Sequence, residues 1–195
     1  MGKAIAVLGH YGSGKTEFSV NYAMYLKQHG EKTALLDLDI ANPYFRSRER
    51  QKMLEEMGIS IYFNEYGFDI AEDLPAITAK IRTPLEDESC TTVADIGGND
   101  SGARIMNQFR KYFEPEGTER YLVVNANRFE TDTLEGALFH LRHIEEEIGL
   151  PITGIVNNTH MLTETTTDDI LRGYELCQEL TCNTGIPVVF STCVT

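Results

Sequence analysis

Gly9-His10-Tyr11-Gly12-Ser13-Gly14-Lys15-Thr16 has the form G-x-x-x-x-G-K-[ST]. Glycines at that spacing let the main chain approach an anion and turn its N–H groups inward, because no Cβ stands in the way. A helix starting at the end of such a loop adds unpaired amides and the positive end of its dipole. Lys15 can then reach the outer phosphates of a nucleotide as a point charge, and the Thr16 hydroxyl can ligate Mg²⁺. Residues 4–8 form an apolar run just before the loop. Phe18, Tyr22 and Leu26 recur every four residues after it, with Ala23 beside them, which is a helical pattern. Strand, loop and helix in that order are the setting the motif requires; a chance match in a glycine-containing turn would lack those flanks.

Two carboxylate segments have matching chemistry. Asp37-Leu38-Asp39 closes the second apolar run. Period-two alternation sends its carboxylates to opposite faces. Asp39, at or past the strand end, can orient a water or accept a proton from an acceptor hydroxyl, and is also a candidate metal ligand. The bland alternative is a turn aspartate before Asn42-Pro43. Asp95-Ile96-Gly97-Gly98 closes a later run, Thr91-Thr92-Val93-Ala94. Asp95 stands at the Walker-B position, which holds Mg²⁺. Gly98 N–H is placed to contact a terminal phosphate and swing away when it leaves. Asn157-Asn158 ends a third run; an asparagine amide presents a donor and an acceptor side by side, as a purine edge requires. No Lys or Asp follows at the spacing of the N-K-x-D guanine motif, which favours adenine over guanine. Asx-turn chemistry is the competing reading.

These residues need a frame that brings strand ends together. Short apolar runs at 4–8, 33–38, 59–63, 91–96, 121–126, 152–157 and 187–191 alternate with helical patterns at 15–29, 45–57, 74–82, 103–113, 131–148 and 166–181. That alternation is the signature of βαβ units and a parallel sheet, whose right-handed crossovers put every strand's C-terminal end on one edge. With 195 residues and no linker or repeat, the chain reads as one nucleotide-binding domain over 1–195. Its 30 acidic against 17 basic residues give a net charge of −13, which disfavours nucleic-acid backbones and anionic membranes. No apolar run is long enough to span a bilayer, and residues 4–8 are too short for the core of a signal peptide. Cys90, Cys177, Cys182 and Cys193 form no C-x-x-C pair and read as free thiols of a cytoplasmic protein.

Taken together, Gly9–Thr16, the Asp37/Asp39 segment, Asp95–Gly98 and the strand end at Asn158 resemble the SIMIBI class of P-loop NTPases, and more narrowly the MinD/ParA and CobQ/CobB-type ATP-binding proteins. The resemblance implies a three-layer α/β fold with a mostly parallel sheet of seven strands, order 3-2-4-1-5-6-7, and helices on both faces. It implies Mg-ATP binding, with Lys15 and Thr16 at phosphate and metal. Asp39 would orient water, Asp95 would be the Walker-B group and Asn158 would contact adenine. It also implies a protein partner, or a homodimer meeting face to face across the nucleotide. One position departs: MinD/ParA-like loops carry a second lysine directly after the first glycine, and here that residue is His10. In this respect the loop is closer to the hydrogenase and urease maturation GTPases, so a GTP-dependent metallocentre-maturation switch stands as an alternative. A small-molecule phosphotransferase with Asp39 as acceptor base is another, and a nucleotide-binding scaffold without turnover a third.

Other groups have blander readings. Arg46, Arg48 and Arg50 cluster after Asp39 and can clamp an anion, or simply begin an exposed helix. Arg128 follows the fifth strand at the ligand edge, where it can meet base or phosphate. His140 and His143, at i and i+3, read as part of a solvated helix face.

Overall fold

The computed structural model of the protein describes residues 3–38, 50–63, 80–97, 102 and 106–193. Among these, seven strands form one sheet: β1 (Lys3–Leu8), β2 (Lys32–Leu38), β3 (Ser60–Phe63), β4 (Cys90–Ile96), β5 (Glu119–Val124), β6 (Gly154–Asn157) and β7 (Val188–Ser191). Their order is β3-β2-β4-β1-β5-β6-β7, and every neighbouring pair is parallel. The helices are α1 (Lys15–Gln28), α2 (Gln51–Glu56), α3 (80–86), α4 (helical at 106–108), α5 (Leu134–Ile148) and α6 (Thr167–Thr184).

The sheet is apolar on both faces because helices cover both. Along β1, Ala4, Ala6 and Leu8 join one core and Ile5 and Val7 the other. The second core takes Phe18, Tyr22 and Leu26 of α1 and Leu54 of α2, so the four-residue period after the loop is the buried stripe of that helix. The first takes Ile81, Leu85, Met106, Leu141, Ile144 and Leu180, among others, from α3, α4, α5 and α6. Each fully buried Ile, Leu or Val contributes roughly 1.5–3 kcal/mol. Ile5, Val7 and Leu8, with buried Ala4 and Ala6 between them, make β1 the rigid base under the loop. No helix among the described residues is long and apolar enough to cross a membrane.

Several predicted boundaries move, for local reasons. The helix expected over 103–113 is helical at 106–108 and then tightens into a 3-10 turn, Arg110–Tyr112. The helix expected from 131 begins at Leu134, after a 3-10 turn at Phe129–Thr131, because Thr133 is its N-cap and accepts from Gly136 N. α6 runs on to Thr184, stopping where Gly185 takes φ 78°. Its start is fixed by a reciprocal capping box between Thr166 and Asp169. Hydrogen bonds from Thr166 hold the Asp169 carboxyl down at about 2.

Gly173 decides how closely α6 approaches the sheet. A Cβ there would lie 2.0 Å from Thr159 Oγ1 and 2.4 Å from Asn157 Oδ1, just past the end of β6. Both oxygens are committed: Thr159 Oγ1 accepts from Ala126 N at 3.0 Å, and Asn157 Oδ1 from Thr159 N at 3.2 Å. Gly173→Ala is therefore expected to destabilise the protein by about 1–3 kcal/mol through overpacking. A denaturant midpoint unchanged from wild type would contradict this.

Candidate functional site

The C-terminal ends of β1, β4, β5 and β6 converge on the loop at 9–16. The loop backbone takes positive φ at Gly9 (149°), Gly12 (76°) and Gly14 (86°). At Gly14 the requirement is also steric: a Cβ would fall 2.2 Å from Asn158 Nδ2. Gly14 caps α1 without any side-chain hydrogen bond, and a helix start presents its first-turn amides and the positive end of its dipole to an anion.

Three carbonyls of the loop are held by side-chain donors. Lys15 Nζ donates to His10 O at 3.1 Å. Arg128 Nε donates to Gly12 O at 2.9 Å. Asn158 Nδ2 donates to Ser13 O at 2.8 Å. Lys15 is buried at 6 % exposure although it carries a charge, which costs free energy unless an anion or polar groups surround it.

Beneath the loop, Thr16 Oγ1 donates to Asp95 Oδ2 at 2.5 Å, both groups buried. β1 and β4 pair with Val7 opposite Asp95, which puts this carboxylate beside the start of the loop. A hydroxyl and a carboxylate oxygen are the hard donors that Mg²⁺ takes, so the residues present fit that ion. Asp37 sits opposite Asp95 in the β2–β4 register. Asp39 and Gly98 lie outside the described residues, as do residues 42–49 with Arg46 and Arg48. Arg50 pairs with Glu17 at 3.1 Å.

Asn158 stands at the end of β6 as expected, but its amide is engaged at both ends. Nδ2 holds Ser13 O, and Oδ1 accepts from the Thr192 hydroxyl just after β7. Its main-chain N–H donates to Val124 O at 2.8 Å. The amide thus ties the phosphate loop to the far edge of the sheet, a role invisible in a strand-end asparagine read locally.

The solvated-face reading of the α5 histidines needs correction at His140. Its ring packs on His10 of the loop, centroids 4.3 Å apart and planes tilted by 51°. Desolvation by burial, and then the neighbouring His10, push the His140 pKa down, against an opposing pull from Glu130. His143 does stay on the outer face, 3.3 Å from Glu147. The His10 imidazole is thus packed against its own chain.

Against known proteins, a model of the CobQ/CobB/MinD/ParA nucleotide binding domain matches residues 5–170. Among solved structures, the cell division protein FtsY of Thermotoga maritima is similar over 100% of this chain and 62% of that one, at 18% identity and a TM-score of 0.66. Chloroplast FtsY of Physcomitrella patens is similar over 98% of this chain and 58% of that one, at 17% identity and a TM-score of 0.65. This chain therefore spans less than two thirds of those FtsY chains. A nucleotide-binding protein of Archaeoglobus fulgidus, solved in complex with ADP, matches over 98% of this chain and 80% of its own, at 18% identity and a TM-score of 0.54. A search of the curated proteins finds no match.

The His140 environment sets a pH dependence. Its folded pKa lies below the ordinary 6.5, so between the two values the unfolded chain binds a proton that the folded chain refuses. The stability contributed by neutral His140 is complete above 6.5 and is lost as pH falls toward the folded value. Melting temperature followed from pH 7 to pH 5 should therefore fall more steeply for wild type than for His140→Gln. Parallel curves would show that the imidazole is not held neutral by the fold.

Proposed function

The chain belongs to the CobQ/CobB/MinD/ParA nucleotide-binding domain family, and we propose that it binds Mg-ATP, hydrolyses it slowly and passes the resulting change to a protein partner. The observation that carries this reading is the 2.5 Å contact between Thr16 and Asp95, which joins a helix start to a strand end 79 residues away directly under a glycine loop. In the proposal, the loop amides and Lys15 hold the phosphates, and Thr16 and Asp95 hold Mg²⁺. The ion, when bound, neutralises charge on the phosphate oxygens. Asp39 orients the attacking water and is a further metal ligand, and Gly98 contacts the terminal phosphate. These two roles rest on the sequence alone.

ATP is chosen over GTP because the guanine motif is missing after β6. The ADP in the Archaeoglobus fulgidus protein agrees with that choice. For Asn158 to contact adenine, the second lone pair of Oδ1 and the second hydrogen of Nδ2 must serve the base, since the Thr192 hydroxyl and Ser13 O hold the first of each. Turnover is slow in this reading because phosphoryl transfer needs fixed positive charge, and a partner would complete it. A different protein is preferred to a second copy as that partner. The loop position that reaches across in sandwich dimers is His10, and it packs on His140 of its own chain.

A nucleotide panel read by thermal shift and calorimetry tests the proposal. Mg-ATP at 100 times its Kd should add about 2.7 kcal/mol of stability. GTP should bind more weakly, and Lys15→Ala should abolish both the shift and phosphate release. Equal ATP affinity and turnover in wild type and Lys15→Ala would overturn it.

A further inference from the structure

Arg128 is carried on a turn that the fold holds firmly. Past the end of β5, the buried Asn125 accepts from Asn127 N at 2.9 Å through its side chain and from Arg128 N at 3.1 Å through its carbonyl. Thr131 closes the turn, donating its hydroxyl to Asn125 O at 2.8 Å and its N–H to Arg128 O at 2.9 Å. Arg172 of α6 braces it from outside, bonding Asn127 Oδ1 and reaching Ala126 O at 3.4 Å.

From that turn, Arg128 crosses 116 residues of sequence to donate Nε to Gly12 O at 2.9 Å. Its guanidinium lies against the loop, with Nε, Cζ and Nη2 at 3.0, 3.1 and 3.4 Å from where a Cβ on Gly12 would be. The side chain is exposed. In a chain of net charge −13, other surface cations such as Lys32, Arg110 and Arg172 pair with carboxylates. Among the described residues, Arg128 has no such ion pair. A guanidinium has five N–H donors in a planar fork, and the bond to Gly12 uses the one on Nε.

We infer that Arg128 is a phosphate-contacting residue supplied within the chain, its remaining N–H donors taking oxygens of the nucleotide's terminal phosphate. It rests on the nucleotide-binding reading of this site. Two observations favour the terminal phosphate. Asn158, expected on the base side, meets the loop at Ser13 and Gly14, whereas Arg128 meets it earlier, at Gly12. The residue after the first glycine is His10, whose ring packs on His140, so no lysine reaches the phosphates from that position. Arg128 supplies that charge without a second subunit. Held on the loop through Nε, the guanidinium keeps its other N–H groups for a phosphate oxygen, and charge-assisted bonds to phosphate are the stronger.

Calorimetry in Mg²⁺ with ADP and a non-hydrolysable ATP analogue, on wild type, Arg128→Ala, Arg128→Lys and Lys15→Ala, tests this. Arg128→Ala should weaken the triphosphate analogue at least ~10-fold, the loss of a charge-assisted bond. It should change ADP affinity less than about threefold, within the noise of a lost surface contact. Arg128→Lys should recover part of the triphosphate affinity. If Arg128 were only a tether for Gly12, Arg128→Ala would weaken both nucleotides equally and lower the melting temperature of the nucleotide-free protein; that result overturns the inference, as does an unchanged triphosphate affinity. Lys15→Ala tests the underlying site separately, since it should weaken both nucleotides. Wild type binding neither would remove the nucleotide reading itself.

Discussion

The contact between Thr16 and Asp95 sets a demand that the rest of the structure meets. A hydroxyl at the first turn of α1 and a carboxylate at the end of β4 come within 2.5 Å only if β1 and β4 are parallel neighbours in a register that puts Val7 opposite Asp95. Parallel neighbours cannot be joined by a hairpin, so chain must cross over between them, and the crossovers cover the sheet. β2 and β3 lie beyond β4, and β5, β6 and β7 lie beyond β1, which places the site near the middle of the sheet. There both strands are hydrogen-bonded on each side, and the groups at their ends inherit that rigidity.

The loop above this contact is shaped as much by its carbonyls as by its glycines. His10, Gly12 and Ser13 each have a carbonyl held by a side chain, from Lys15, Arg128 and Asn158 respectively. A peptide unit is planar, so fixing a C=O also fixes the N–H across the same bond. The three tethers come from α1, from the turn after β5 and from the end of β6. The phosphate cradle is therefore organised by the same strand ends that surround it, before any ligand arrives. This is the sort of preorganisation that keeps the cost of binding low. Gly14 and Gly173 serve that arrangement by omission: one admits the Asn158 amide against the loop, the other admits α6 against the Asn157–Thr159 segment.

Local pattern carried much of this. Alternating apolar runs and helical stripes marked the strands and helices, and the loop with its flanks marked the site, because those signals are written in consecutive residues. The strand order came from family resemblance, since nothing local dictates which strands become neighbours. What stayed hidden was set by distant contacts. The tethers from Asn158 to Ser13 and Thr192 could not be read locally, because they join segments far apart in the chain. His140 read as solvated because its partner, His10, is 130 residues away. Boundaries shifted where one side chain outbid the apolar pattern. β5 stops at Val124 rather than 126 because Asn125 folds its own side chain onto the following turn. Gly185, four residues past the expected end, was the true stop signal of α6.

All of this makes one physical claim: main-chain amides of a single loop capture the phosphate tail of a nucleotide. Amide chemical shifts of isotopically labelled protein, followed through a Mg-ATP titration, examine those groups directly. The account predicts that the largest shifts fall on the amides of Gly12 to Thr16, saturating together with a single affinity. Saturable binding that leaves those amides unmoved and shifts residues elsewhere would contradict it.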